Sequence, residues 1–178
     1  MVKVKIIKSF FTPDELELIQ CYCRAQVYKP NTYSKPDPQV PYTPTWVADS
    51  LMESLLKKKL PVVEKATNLK LFKTYSYWRY YVFGSQLINH TDRPACEVSI
   101  TACISKTHSW PLIVDGKNYE LEEGDGLVYP GCEVTHGRPG IFEGEGMAQV
   151  FLHYVNQNGP HKDHQDDRVR KALSCETP

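Results

Sequence analysis

The stretch 84-GSQLINHTDRPACEVSI-100 carries the reading of this chain, and within it His90-Thr91-Asp92. Residues two apart in a strand point to the same face. His90 and Asp92 follow the apolar run Leu87-Ile88-Asn89, so an imidazole and a carboxylate can emerge together where that run ends. The same spacing recurs at His161-Lys162-Asp163 and His164-Gln165-Asp166. Both copies lie in the charged stretch NQNGPHKDHQDDRVRKALSCETP, where no strand-like run sets their direction. Ligands there would lose ordering entropy on binding an ion, so these copies are expected to be solvated tail residues.

Outward from His90, the chain divides by periodicity. Residues 1–12 alternate Val2, Val4 and Ile6 with lysines and read as a strand. Thr12, Pro13 and Glu15 then spell a capped helix start, with Leu16, Ile19, Cys23 and Val27 as its apolar stripe. Between Lys29 and Pro44 five prolines exclude regular structure and suggest a lid or a connector. A second helix is expected over Trp46–Lys59, its three final lysines opposing the helix dipole, with a short further helix before Asn68. After Asn68 the period becomes two, in LKLFKTYSYWRYYVFG, ACEVSITACIS, WPLIVDG, KNYELEEG, GLVYPG and MAQVFLHYV. Helices followed by short strands argue an α+β protein. One domain over 1–160 and a polar tail over 161–178, with a short helix at its end, are expected.

Composition narrows the function. With 21 basic and 21 acidic residues the net charge is zero, so no nucleic-acid partner is expected. No apolar run approaches the roughly 20 residues of a membrane span. The six cysteines form no CxxC pair, and the opening MVKVKIIKSFF lacks the apolar core of a leader peptide; a soluble, intracellular, cytoplasmic setting is expected.

An imidazole and a carboxylate are two-thirds of the facial triad of non-haem iron sites, whose third member is another histidine. His136, eleven residues past Asp125 in GDGLVYPGCEVTHGR, is the candidate; His153 in QVFLHYV competes with it, and His108 reads as an exposed loop residue. The ordered pattern Tyr81-x-x-Gly84-x-x-Leu87-x-x-His90-x-Asp92, followed by Gly124-Asp125, Tyr129 and His136, resembles the 2-oxoglutarate/Fe(II)-dependent dioxygenases, and most the prolyl 4-hydroxylase-like branch. The opening IIKSFFTPDELELI resembles that branch as well, and the likeness runs from about residue 4 to 160. The resemblance implies a double-stranded β-helix (jelly-roll) barrel with N-terminal helices packed on one face. It implies Fe(II) held by His90, Asp92 and His136, with 2-oxoglutarate and O2 as cosubstrates and ascorbate as an accessory reductant. The activity implied is hydroxylation of a substrate C–H coupled to decarboxylation of 2-oxoglutarate.

One element of that pattern is absent. Where the family carries an Arg or Lys after the distal histidine, this chain has Glu145-Gly146. A buried carboxylate without a cationic or multi-donor partner is costly. Arg138 is the first candidate to meet it; Arg79, Lys106 and His153 are reserves, and Tyr81 or Thr101 could add a hydroxyl. Arg93 and Glu97, four apart, are expected to form a structural ion pair. The gap keeps alternatives open: a cupin-like or degenerate metal-binding module, or a zinc hydrolase using the same ligands. The substrate is a peptide, with proline the branch's default and Tyr28, Tyr33 and Tyr42 as ring contacts, or else a small molecule. The oligomeric state is left open.

Overall fold

Thr12 caps α1 (Pro13–Val27) as the spacing specifies: its Oγ1 accepts the Glu15 N–H at 3.3 Å, and the Glu15 carboxylate accepts the Thr12 N–H at 2.9 Å. Ile19 and Cys23 are buried, with Leu16 and Val27 packed against the same core. The computed structural model describes residues 2–29, 39–41 and 43–167. The suggested lid falls largely on residues 30–38 and 42, and the terminal short helix on 168–178; both lie outside the described residues.

The second helix departs from expectation at both ends. Trp46 lies in a strand, β2 (Thr45–Val47), and stacks on Trp78 with ring centroids 3.8 Å apart. The helix α2 starts at Ser50, because Asp49 Oδ1 accepts the N–H groups of Leu51 (3.1 Å) and Met52 (3.3 Å). It runs to Thr67 without a break at Pro61 and ends on Asn68 in the left-handed conformation. Proline removes one helical hydrogen bond, but buried Leu56 and Val63 fix the turns on either side of it. The lysine triplet is therefore mid-helix rather than terminal. Lys59 turns inward, 2.5 Å from Glu15 and 5.3 Å from the ring centres of both Phe10 and Phe11.

The remaining strands are β1 (Lys5–Ile7), β3 (Leu71–Val82), β4 (Val98–Lys106), β5 (Leu112–Val114), β6 (Lys117–Tyr119), β7 (Gly126–Tyr129), β8 (His136–Gly137) and β9 (Gly146–Asn156). β1 is shorter than expected, because the chain turns at Ser9 (φ 50°), whose N–H is held by Asp125 at 3.1 Å. The strands form a six-stranded antiparallel sheet, ordered β1-β7-β4-β9-β3-β2, and a three-stranded one, β6-β5-β8. Alternation sorts the large sheet into two faces. Trp78, Ile100, Val150 and Leu152 face the helices and form the main core. Tyr75, Tyr77, Arg79 and Tyr81 of β3 pair with His153, Phe151, Gln149 and Met147 of β9, and these face the other way. A second core, with Tyr81, Trp110, Leu112, Tyr129 and Phe142, fills the space toward the small sheet. Among the described residues no helix is long and apolar enough to cross a membrane.

The beginning of the expected tail is docked. Asp167 is buried and pairs with Arg93 at 2.7 Å, and Asp166 pairs with Lys73 while its N–H donates to the Lys73 carbonyl at 3.0 Å. The reading of this segment as solvated does not hold for Asp166 and Asp167, which meet Lys73 and Arg93. The expected Arg93–Glu97 pair is not made either. Arg93 goes to Asp167, and Glu97 accepts the Asn156 N–H at 2.8 Å.

Glu15 ties α1 to α2 and sets an acid limit on the fold. Burial works against its charge, yet Lys59, the Thr12 N–H and Lys58 hold its pKa down at about 2. A carboxyl whose folded pKa lies below its unfolded one contributes stability that is complete above the unfolded value and lost as pH falls toward the folded one. Chemical denaturation between pH 5 and 2, ordinary values flanking those two limits, should show a steep loss for the native chain. The Glu15→Gln variant should be less stable at neutral pH and should lose less across that window.

Candidate metal centre

Three backbone contacts bring the HTD segment to its partner. His90 N–H donates to the His136 carbonyl and His136 N–H donates to the His90 carbonyl, each at 2.9 Å. Asp92 N–H donates to the Gly131 carbonyl at 2.9 Å. The chain reaches this position through a turn at Gly84, whose φ of +82° suits glycine, closed by Ser85 N–H to the Val82 carbonyl at 3.0 Å.

The side chains then converge. Asp92 Oδ1 lies 3.7 Å from His90 Nε2 and 3.6 Å from His136 Nε2, and one ligand atom from each residue falls within 4.8 Å of the others. Each imidazole places Nδ1 against a backbone carbonyl, Ile88 at 2.8 Å and Val134 at 3.0 Å. With Nδ1–H donated there, both Nε2 lone pairs point at the common space, the usual support of a metal-binding histidine. Burial lowers the His90 pKa and keeps that ring neutral. Burial would raise Asp92, but the adjacent His136, His153 and His90 outweigh this and hold its pKa down. One carboxylate and two imidazoles on one face are a ligand set for a divalent ion, with coordination positions left over.

The other candidates separate by position. His153 lies with Asp92 and Cys96 rather than with the two other histidines, its Nδ1 2.9 Å from Ser99 Oγ and its ring 4.7 Å from Tyr75. Ser99 Oγ also reaches Asp92 Oδ2, at 3.3 Å. Arg138 is buried beside Tyr81 and Trp110, its guanidinium carbon 5.8 and 5.1 Å from their rings. Its Nη1 donates to the Trp110 carbonyl, while its Nε has no partner. Tyr81 Oη is likewise buried without a partner. Thr101 does not present its hydroxyl to the cavity; it donates to Gln149 Oε1 at 3.1 Å, and Gln149 Nε2 is left unpartnered. Gln149 is the residue that sequence reasoning missed as a donor, although its alternation with Phe151 and His153 places it on the same face. Arg79 is buried against Tyr77 and Tyr81, its Nε 3.0 Å from Tyr77 Oη. Lys106 is committed to Glu120 at 2.8 Å and Glu122 at 3.5 Å. His108 is half exposed, near Glu143. Among the described residues, His161 and His164 join no group of three metal-type ligands.

A cavity of about 340 Å³ opens over the triad, with Tyr81, Leu112, Tyr129 and Phe151 among its walls. Of its walls, Tyr81 carries a buried hydroxyl without a partner, and Arg138 lies behind it with an unpartnered Nε. Burying a donor without an acceptor costs about 1–3 kcal/mol, and Tyr81, Arg138 and Gln149 each bear one.

No family model matches the chain, and no curated protein matches it. Solved structures do. The non-heme alpha ketoglutarate dependent epimerase SnoN of nogalamycin biosynthesis aligns with a TM-score of 0.70 at 8% identity, covering 87% of this chain and 78% of that one. The viral collagen prolyl hydroxylase vCPH of Paramecium Bursaria Chlorella virus-1, in its 2OG complex, gives 0.60 at 10% identity over 85% and 94%. HygX of Streptomyces hygroscopicus, with nickel, 2-oxoglutarate and hygromycin B bound, gives 0.68 at 13% identity over 88% and 84%. This chain has their fold.

Gly131 tests the site's packing. A Cβ there would sit 2.5 Å from Ser99 Oγ, 2.6 Å from Asp92 Oδ2 and 2.6 Å from the Cys96 carbonyl. Gly131→Ala should displace Asp92 and weaken divalent-metal binding by about 10–100-fold, as loss of a ligand's support does, in anaerobic titration with Fe(II) or Co(II). An unchanged affinity would show that Asp92 is not held as described.

Proposed function

We propose that this chain is an Fe(II)- and 2-oxoglutarate-dependent hydroxylase, its two sheets forming a double-stranded β-helix around the site. The observation that carries the proposal is a pair of neighbouring features: three convergent ligands in the cavity, and on its wall the unpartnered Tyr81 hydroxyl backed by the buried Arg138. In this reading His90, Asp92 and His136 hold the iron, and Arg138, Tyr81 and Gln149 receive the distal carboxylate of 2-oxoglutarate. Bound iron and 2-oxoglutarate supply O2 activation, coupled to decarboxylation, and hence the oxidising power for a C–H bond.

The chain's own residues orient and dry the site. The Ile88 and Val134 carbonyls fix the two imidazoles in the metal-binding tautomer. Thr101 sets the Gln149 amide so that its N–H group is the end left for the ligand. The Tyr129 ring, 4.8 Å from His136, closes one side against water. In this reading Arg138, behind Tyr81, takes the part of the missing Arg or Lys after His136. A module that binds metal without 2-oxoglutarate, or a zinc hydrolase, leaves those three buried donors without an acceptor and accounts for the site less well. Peptidyl proline remains a candidate substrate by resemblance.

The test is anaerobic addition of Fe(II) and then 2-oxoglutarate, following the visible charge-transfer band of the chelated cosubstrate. The wild-type chain should give the band. His90→Ala and His136→Ala should lose iron, whereas His161→Ala and His164→Ala should behave as wild type. Tyr81→Phe removes one hydroxyl and should weaken 2-oxoglutarate about tenfold, the effect of about 1.4 kcal/mol, while Arg138→Ala should abolish the band with iron still bound. Iron binding without a band in the wild-type chain would sink the proposal.

A further inference from the structure

The cavity has a second cationic end. Arg93 immediately follows Asp92, lines the cavity, and lies over the Tyr75 ring with its guanidinium carbon 4.6 Å from the ring centre. Its Nη2 is fixed by Asp167 at 2.7 Å. The segment bearing Asp167 is held in turn by the neighbouring Asp166–Lys73 pair. The Arg93 side chain is nevertheless 34% exposed, and a guanidinium carries five N–H donors. Asp167 and the Tyr75 hydroxyl hold it still, and the exposed remainder of the fork faces the cavity for a second anion.

Charge around the cavity points the same way. Among the described residues that line it, Asp92 is the sole carboxylate, against the guanidinium groups of Arg79 and Arg93. Arg79 is 1% exposed and engaged with Tyr77, so Arg93 is the accessible one. Between Arg93 and the triad the walls are aromatic: Tyr75 beside His153, and Tyr77 beside Phe151 with ring centroids 5.5 Å apart. A hydrocarbon fragment lies well against such rings. Size sets the scale, because about 340 Å³ is at the low end for small-molecule sites and must also take 2-oxoglutarate.

We propose that the substrate is a small molecule bearing a carboxylate, and that Arg93 binds that carboxylate at the opposite end of the cavity from the 2-oxoglutarate site. The inference rests on the preceding reading for the position of the metal and cosubstrate. Its geometry explains how a C–H bond is selected. The carboxylate pairs with the Arg93 fork, the hydrocarbon part lies across Tyr75, Tyr77 and Phe151, and the carbons between come to rest over the Asp92 side of the triad. Arg93 is pre-positioned by Tyr75 and Asp167, so binding orders little of the protein. A cationic substrate would meet two guanidinium groups. A proline inside a peptide brings no carboxylate to Arg93.

The experiment compares two matched probes, N-acetyl-L-proline and N-acetyl-L-prolinamide, which differ in the carboxylate alone. Each is titrated anaerobically into the Fe(II)·2-oxoglutarate protein, following perturbation of the charge-transfer band, and in parallel into the metal-free protein by ligand-observed NMR. The acid should bind at least about tenfold more tightly than the amide, the difference of one charge-assisted pair. Arg93→Gln should reduce the acid to the level of the amide without moving the amide, and Arg93→Lys should recover part of the loss. Equal binding of the two probes, tighter binding of the amide, no binding of either, or insensitivity of the acid to Arg93→Gln overturns the inference. The two readings fail separately. Loss of the band with 2-oxoglutarate alone, while the acid still binds through Arg93 by NMR, removes the cosubstrate and keeps the carboxylate subsite. A normal band with no preference for the acid does the reverse.

Discussion

The site depends on the paired backbone bonds between His90 and His136. Neither residue lies in a long strand: β8 is two residues, and His90 meets it as a single bridge. Their reciprocal bonds at 2.9 Å, with the Arg138 N–H bond to the Leu87 carbonyl at 2.9 Å, fix the irregular stretch 84–92 against the small sheet. Those bonds bring the two imidazoles to 4.4 Å between ring centres. Each side-chain contact beyond them, from the Ile88 and Val134 carbonyls to Asp92 Oδ1, refines a position the backbone already determines. A ligand set must be held to within fractions of an ångström, and backbone pairing does this with little conformational entropy left to lose.

Much of the large sheet was legible because its signals are local. The capping box at Thr12 and Glu15 and the period-two runs in β3, β4, β7 and β9 each formed within a few residues of the expected bounds. What sequence reasoning missed depends on distant partners. Trp46 joins a strand because Trp78 is there to stack on. Lys59 is buried because Glu15 comes from another helix, 44 residues away. β8 is too short to carry a period. The docking of 161–167 follows from Arg93 and Lys73, which a reading of local charge counts as solvated.

At the site, the family resemblance named His90, Asp92 and His136, and the structure brings them together. Their surroundings could not be named. Thr101 and Gln149 read as alternating polar residues, and only their pairing across β4 and β9 turns one into the support of the other. The absence of a basic residue after His136 looked like a deficit when the chain was read in one dimension. In three dimensions the strand alternation that points His136 inward also points Arg138 inward, two residues on, beside Tyr81.

An unpartnered buried donor is not by itself a binding site, and this chain supplies the contrast. Trp78 Nε1 also lacks a partner, but it sits in the core between sheet and helices, flat against Trp46 with an interplanar angle of 4°. Its cost is the incidental cost of a well-packed indole pair, and no ligand could relieve it. Tyr81, Arg138 and Gln149 differ in origin, coming from β3, the residue after β8, and β9, with no packing gain that requires all three to be polar. Apolar groups of similar shape would be nearly neutral or better there. Under the proposed function, an acceptor shared by these groups would relieve a penalty that packing does not require. Arg138 adds a further constraint: burial pushes its pKa down, while Tyr81 beside it works the other way.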